Sequence, residues 1–119
     1  MKKLMALVLL VCVAATPVCA QSIGGRYKVE GTNINGTTYD GEAVITLTSE
    51  TTCEIEWVTG PTTSIGICMR NDDSFAAGYK IGDDVGLVIY KVGENGVLSG
   101  LWTLAGNGGN GTEVLTPMQ

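Results

Sequence analysis

Beyond residue 21 the chain never keeps apolar residues at helical spacing over successive turns. Instead, short runs of β-branched and aromatic residues are broken at close intervals by Gly, Asn and Asp, and this pattern admits only an all-β fold. The runs predict strands at 25–31, 39–48, 52–59, 63–70, 74–81, 85–92, 97–104 and 112–116. Between them lie turn signals: Asn35-Gly36, Ser49-Glu50, Gly60-Pro61, Asn71-Asp72-Asp73, Gly82-Asp83-Asp84 and Glu94-Asn95-Gly96. Eight short strands with tight connections imply an antiparallel up-and-down meander. A meander of this size hides its edges by curling into a small β-barrel, with a flattened sandwich as the alternative. Seventeen glycines suit a barrel, because Gly66, Gly78, Gly86 and Gly100 fall inside strands, where glycine marks bends or close packing.

The first twenty residues read as a targeting segment rather than as fold. Met1-Lys2-Lys3 is a basic head, Leu4 to Ala15 is an apolar run too short to span a bilayer, and Val18-Cys19-Ala20 is a small-x-small cleavage pattern. The expectation is therefore a signal peptide at 1–20, one domain at 21–119, and a secreted or periplasmic protein without a membrane span in its mature form. Losing Lys2 and Lys3 leaves five basic against twelve acidic residues, a formal charge of −7. Such a chain is no electrostatic binder of nucleic acid.

Cleavage leaves two cysteines, Cys53 and Cys68, and an oxidising compartment joins them. Strand register agrees. With Gly60-Pro61 as a two-residue turn, Cys53 falls opposite Cys68, Ile55 opposite Gly66, and Trp57 opposite Ser64. Pro61 is unusual in the commonest hairpin turns, so a longer loop with the same pairing stays open. With Asn95-Gly96 as another two-residue turn, Ile89 meets Trp102 and Leu87 meets Leu104 on a core face, while Tyr90 and Val88 lie on a partly covered face.

Candidate chemistry is sparse. The chain has no histidine, which removes the commonest general base and zinc ligand. The expectation is a protein that is not an enzyme, with no cofactor and no metal. Asp72-Asp73 and Asp83-Asp84 read as solvated turn residues, with weak surface calcium binding as the sharper alternative. Glu54 and Glu56 share the strand face opposite Cys53 and Trp57, an outer solvated face. Trp57 and Trp102 are first of all core bulk; the functional alternative puts one of them at a barrel mouth or a partner-binding patch. Asn35-Gly36-Thr37 and Asn110-Gly111-Thr112 match a glycosylation acceptor but contain a turn dipeptide. Gly106, Gly108 and Gly111 spell G-x-G-x-x-G, yet too few residues follow for the helix and second strand of a dinucleotide site. The same stretch is a single imperfect copy of a calcium nonapeptide that needs stacked repeats. It reads as a connection between the last two strands. Asn107, Asn110 and Glu113 are its candidate binding side chains.

The succession Gly25-x-Tyr27-x-Val29-x-Gly31, Tyr39-x-Gly41-x-Ala43-x-Ile45, Cys53-x-Ile55-x-Trp57, Gly86-Leu87-Val88-Ile89-Tyr90, Gly100-x-Trp102-Thr103 and Gly108-x-x-Gly111-Thr112-Glu113 up to Pro117 resembles small secreted proteins of Gram-negative bacteria, many called fibronectin-binding protein. That resemblance implies adhesion to a host extracellular-matrix protein such as fibronectin and assigns no site residues; the chain itself reads as a monomeric, non-enzymatic binding module. The residues themselves support an alternative, a small carrier whose barrel interior or mouth holds an apolar molecule.

Overall fold

The computed structural model describes residues 22–119; the expected leader and its cleavage site lie outside them. The eight strands are β1 (Gly25–Thr32), β2 (Thr38–Leu47), β3 (Thr52–Thr59), β4 (Thr62–Asn71), β5 (Ser74–Ile81), β6 (Asp84–Val92), β7 (Leu98–Leu104) and β8 (Gly111–Pro117). Each pairs antiparallel with the next, and β8 returns to β1, so the sheet closes into an up-and-down barrel without edges. No described helix is long and apolar enough to cross a membrane.

The β3–β4 register is the expected one: Cys53 faces Cys68, Ile55 faces Gly66, Trp57 faces Ser64, and Thr59 and Thr62 close the two-residue turn. Pro61 fits that turn because Gly60, with φ of +62°, takes the left-handed first position, and the second needs the negative φ that a proline ring fixes. Cys53 and Cys68 form a disulfide with Cα atoms 4.9 Å apart.

The β6–β7 hairpin departs from expectation by one residue. Val88 faces Trp102 and Ile89 faces Leu101. The Gly96 amide donates to the Gly93 carbonyl, Gly96 has φ of +75°, and the Gly93 amide donates to the Val97 carbonyl. Asn95-Gly96 is thus the end of a turn followed by a left-handed glycine bulge, not a two-residue turn, and the extra residue shifts every pair beyond it. Because side chains alternate between faces, that shift turns Leu87 and Ile89 outward and Val88 and Tyr90 inward. The β1–β2 connection has the same construction, with Asn33 in the place of Gly93 and Gly36 in that of Gly96.

Inside, large residues face glycines along the pairing rows. Ile55, Gly66, Tyr79, Gly86 and Leu104 form one such row across β3 to β7. At Gly86 a methyl group would lie 2.2 Å from the Tyr79 ring, so the ring occupies the space that the missing side chain leaves. Outside, the barrel is divided. Arg26, Lys28, Glu30, Glu42, Glu54 and Glu56 cover β1 to β3, whereas Ile65, Ile67, Met69, Leu87, Ile89 and Leu101 are exposed over β4 to β7.

The two ends differ as well. At one end Ile23, Tyr27, Phe75, Leu98, Leu115 and the disulfide are all buried, and the Tyr27 hydroxyl donates to the Ile23 carbonyl at 2.6 Å, anchoring the N-terminal segment across the opening. At the other end the β1–β2, β3–β4, β5–β6 and β7–β8 connections surround an opening. The cystine closes a loop with a sequence separation of 15. Replacing both cysteines by alanine should therefore lower the unfolding free energy by about 3 kcal/mol, read from urea midpoints at constant slope.

Candidate functional site

The open end leads into a cavity of about 350 Å³, lined by Asn33, Tyr39, Trp57, Thr59, Thr62, Ser64, Tyr79, Ile81, Val88, Trp102, Leu104 and Glu113. That volume lies within the range of small-molecule sites. Glu113 is only 6% exposed and is the single charged residue in the lining.

One pairing row explains how a carboxyl comes to be there. Reading across β6, β7, β8, β1 and β2, the row is Tyr90, Gly100, Glu113, Gly31, Tyr39. Both strands beside Glu113 carry glycine at its level, and beyond each glycine stands a tyrosine. A methyl group on Gly31 would lie 2.4 Å from the Tyr39 ring, and one on Gly100 would lie 2.7 Å from the Tyr90 ring. The two rings therefore lean over the bare backbone toward the carboxyl between them. Tyr39 donates to Glu113 Oε1 at 2.9 Å, Tyr90 donates to Oε2, and Trp57 Nε1 donates to Oε2 at 3.2 Å. Trp57 Nε1 also lies 3.3 Å from the Tyr90 hydroxyl, and Tyr90 stacks on Phe75 with centroids 5.4 Å apart. The cavity floor is thus a carboxyl held by three donors from three other strands.

Burial raises the Glu113 pKa, and the hydrogen bonds from Tyr90, Tyr39 and Trp57 oppose that rise without cancelling it. The same burial, followed by the Glu113 charge, lifts the Tyr39 and Tyr90 phenols well above their ordinary range and brings Tyr79 to about 12. Near neutrality the three tyrosines are uncharged donors. Above the floor the walls are aromatic: Tyr79 meets Trp57 edge-on at 5.2 Å, and Tyr39 meets Trp102 edge-on at 6.2 Å. Ser64, 7% exposed, adds a hydroxyl to the lining.

The five side chains singled out from sequence are thereby separated. Trp57, Trp102 and Glu113 all line the cavity, the first two from β3 and β7. Glu113 is inside β8 rather than on the surface of the glycine-rich connection. Asn107 and Asn110 stay on that exposed connection, outside the lining. A strand, not a helix, follows Gly111, so the G-x-G-x-x-G match has no phosphate-binding helix end. The connection instead packs over the β1–β2 turn, where a methyl group on Gly109 would lie 2.7 Å from Ile34. Tyr39, Tyr79, Tyr90 and Ser64 were not distinguished by sequence as site residues. For Tyr39 and Tyr90 the signal was the pair of in-strand glycines, Gly31 and Gly100, that flank Glu113.

Neither a protein-family model nor a curated protein matches the sequence. Solved structures match in fold: a redesigned β-barrel, 16% identical with a TM-score of 0.72 over 82% of this chain and 92% of that chain, is one. A redesigned barrel, mFAP1, bound to DFHBI, is 20% identical with a TM-score of 0.70 over 79% of this chain and 94% of that one. A de novo fluorescence-activating β-barrel is 13% identical with a TM-score of 0.65 over 80% and 93%. The fold is therefore that of a small closed β-barrel, here of eight strands.

The raised pKa gives a signed prediction. In the folded state Glu113 binds its proton more tightly than in the unfolded chain, so its contribution to stability is full below the unfolded carboxyl pKa. It is lost as pH rises through the folded value. Relative to Glu113→Gln, which does not ionise, the wild-type protein should lose stability as pH rises above about 4 through the titration of Glu113, as measured by urea midpoints of both proteins.

Proposed function

We propose that the protein is a non-catalytic small-molecule-binding barrel whose ligand enters at the open end and reaches Glu113. The observation that carries this reading is the cavity itself, with one end of the barrel packed shut and the other lined by aromatic walls over a polar floor. Binding sites combine apolar walls with a few convergent polar groups in this way. The designed barrels bound to DFHBI support it, since the same closed fold accommodates a small ligand there. They lend nothing to a matrix-protein partner, and the small ligand takes precedence over fibronectin. The absence of histidine from the sequence and the hydrogen-bonded state of the only lining carboxyl support a binding role over a catalytic one.

Titration with the neutral dye Nile red, followed by its emission and by quenching of Trp57 and Trp102, tests the site. Saturable one-to-one binding is expected, and Ser64→Phe, which fills the cavity from β4, should weaken it at least about tenfold. Binding unchanged by that substitution would place the dye on the outer apolar face and refute the reading. We also propose that the protein is exported and acts outside the cytoplasm. Mass spectrometry of the exported protein should give the mass of residues 21–119 less two hydrogens, and an uncleaved chain would refute this.

A further inference from the structure

We propose that the cavity selects an organic cation, a primary or secondary ammonium on an apolar or aromatic body, which donates an N–H to Glu113 Oε1 while its charge lies against the aromatic walls. This inference rests on the reading of the cavity as a ligand site and deepens it.

The carboxyl of Glu113 lacks a balancing charge. No lining residue is basic, and the three groups that hold Glu113, Tyr39, Tyr90 and Trp57, are all neutral. Its charge, when ionised, is hydrogen-bonded but not balanced. A carboxylate has about four acceptor directions. Two on Oε2 are taken by Tyr90 and Trp57, and one on Oε1 by Tyr39, so Oε1 retains a free direction. The ligand must bring a donor to fill it. A neutral donor would complete the hydrogen bonding and leave the buried charge unbalanced, whereas an ammonium does both.

The walls point the same way. The rings of Trp57, Tyr79, Tyr39 and Trp102 surround the route to the carboxyl, and cations gain from such rings, tryptophan most of all. Ile81, Val88 and Leu104 offer contact for an apolar body. An anionic ligand would meet Glu113 head-on and would approach a chain whose formal charge is −5. Burial raises the Glu113 pKa in the empty site, so a bound cation favours the ionised form and its uptake releases a proton wherever the carboxyl was protonated.

The test compares three probes of similar shape, 2-phenylethylammonium, 2-phenylethanol and 3-phenylpropanoate, by calorimetry near neutral pH and physiological salt. Nile red serves as the reference for the cavity. The ammonium should bind at least about tenfold more tightly than the alcohol, with the carboxylate weakest. In Glu113→Gln, with its fold checked by circular dichroism, the ammonium and the alcohol should bind alike. If that variant fails to fold, the wild-type pH profile decides. Ammonium affinity should fall several-fold as pH is lowered from neutrality into the acid range and Glu113 takes up its proton, while affinity for the alcohol stays flat. The titratable groups facing Glu113 are Tyr39 from β2, Tyr79 from β5 and Tyr90 from β6, all phenols that stay neutral in that range. Equal binding of the three probes, tighter binding of the alcohol or carboxylate, or Nile red binding with no ammonium binding overturns the cation inference and leaves the ligand site standing. Failure of Nile red as well as all three probes overturns both.

Discussion

The hydrogen-bonded carboxyl of Glu113 depends on two glycines, Gly31 and Gly100, that put no side chain into the space beside it. In a closed barrel every inward position must be filled, and a glutamate in the filling needs polar partners that reach it. Gly31 and Gly100 supply the reach. By leaving the inner wall bare on both sides of Glu113, they let Tyr39 and Tyr90 lie across the sheet rather than stand off it. A side chain at either position would meet backbone as well as ring, since a methyl group on Gly100 would also lie 2.4 Å from the Ile89 carbonyl oxygen. The site is therefore built into the backbone register of five strands. A one-residue slip in β2, β6 or β8 would take Tyr39, Tyr90 or Glu113 to the outside, and one in β1 or β7 would put a side chain where Gly31 or Gly100 stands.

That register has to be held by something other than the site, and the two ends of the barrel divide the work. The closed end concentrates the disulfide, the Ile23 plug and the largest fully buried side chains, among them Phe75, Leu98 and Leu115. The row that carries Glu113 begins at that end, where Phe75 faces Tyr90, and climbs through Tyr90 to Tyr39 beside the β1–β2 turn. Strand tilt in a closed barrel makes this possible, because a pairing row runs obliquely to the barrel axis. Tyr90 is thus a member of both regions, stacked on the packed core through one face and bonded to the site through its hydroxyl. A rigid floor under an open mouth follows from that arrangement.

Much of this was legible in the sequence, for identifiable reasons. All eight strands were, because alternation and turn dipeptides are local signals. The Cys53–Cys68 pairing was too, because a two-residue turn leaves only one register. The β6–β7 pairing was not. Asn-Gly serves equally as a two-residue turn and as the close of a bulged one, and the usual arbiter, which face is apolar, is silent in β6: Val85, Leu87 and Ile89 are as apolar as Val88 and Tyr90. The outer face over β4 to β7 is apolar as well, and the rule that apolar residues point inward could not reject the wrong register. Glu113 was named as a candidate and falls in the expected strand 112–116, but its burial was not legible. Beside a glycine-rich connection, nothing local marks a glutamate as pointing inward. Its inward position becomes visible only when Gly111, Glu113 and Leu115 are read as alternate residues of one strand.

A glutamate is a costly occupant for that position. Burying a carboxyl disfavours its charged form even with three donors in place, and a well-packed apolar side chain of similar size is often neutral or stabilising in such a setting. In a domain of about a hundred residues, which buries a smaller share of its surface than a larger one, a few kcal/mol is a large fraction of the total stability. The cystine at the closed end contributes on that same scale, and it lies outside the cavity lining. Packing at one end thus offsets a destabilising group at the other. That division explains why the fold places its cross-link and its carboxyl in different regions of one small core: the floor can remain polar, unbalanced in charge and open to solvent on one side only because the opposite end does not have to be.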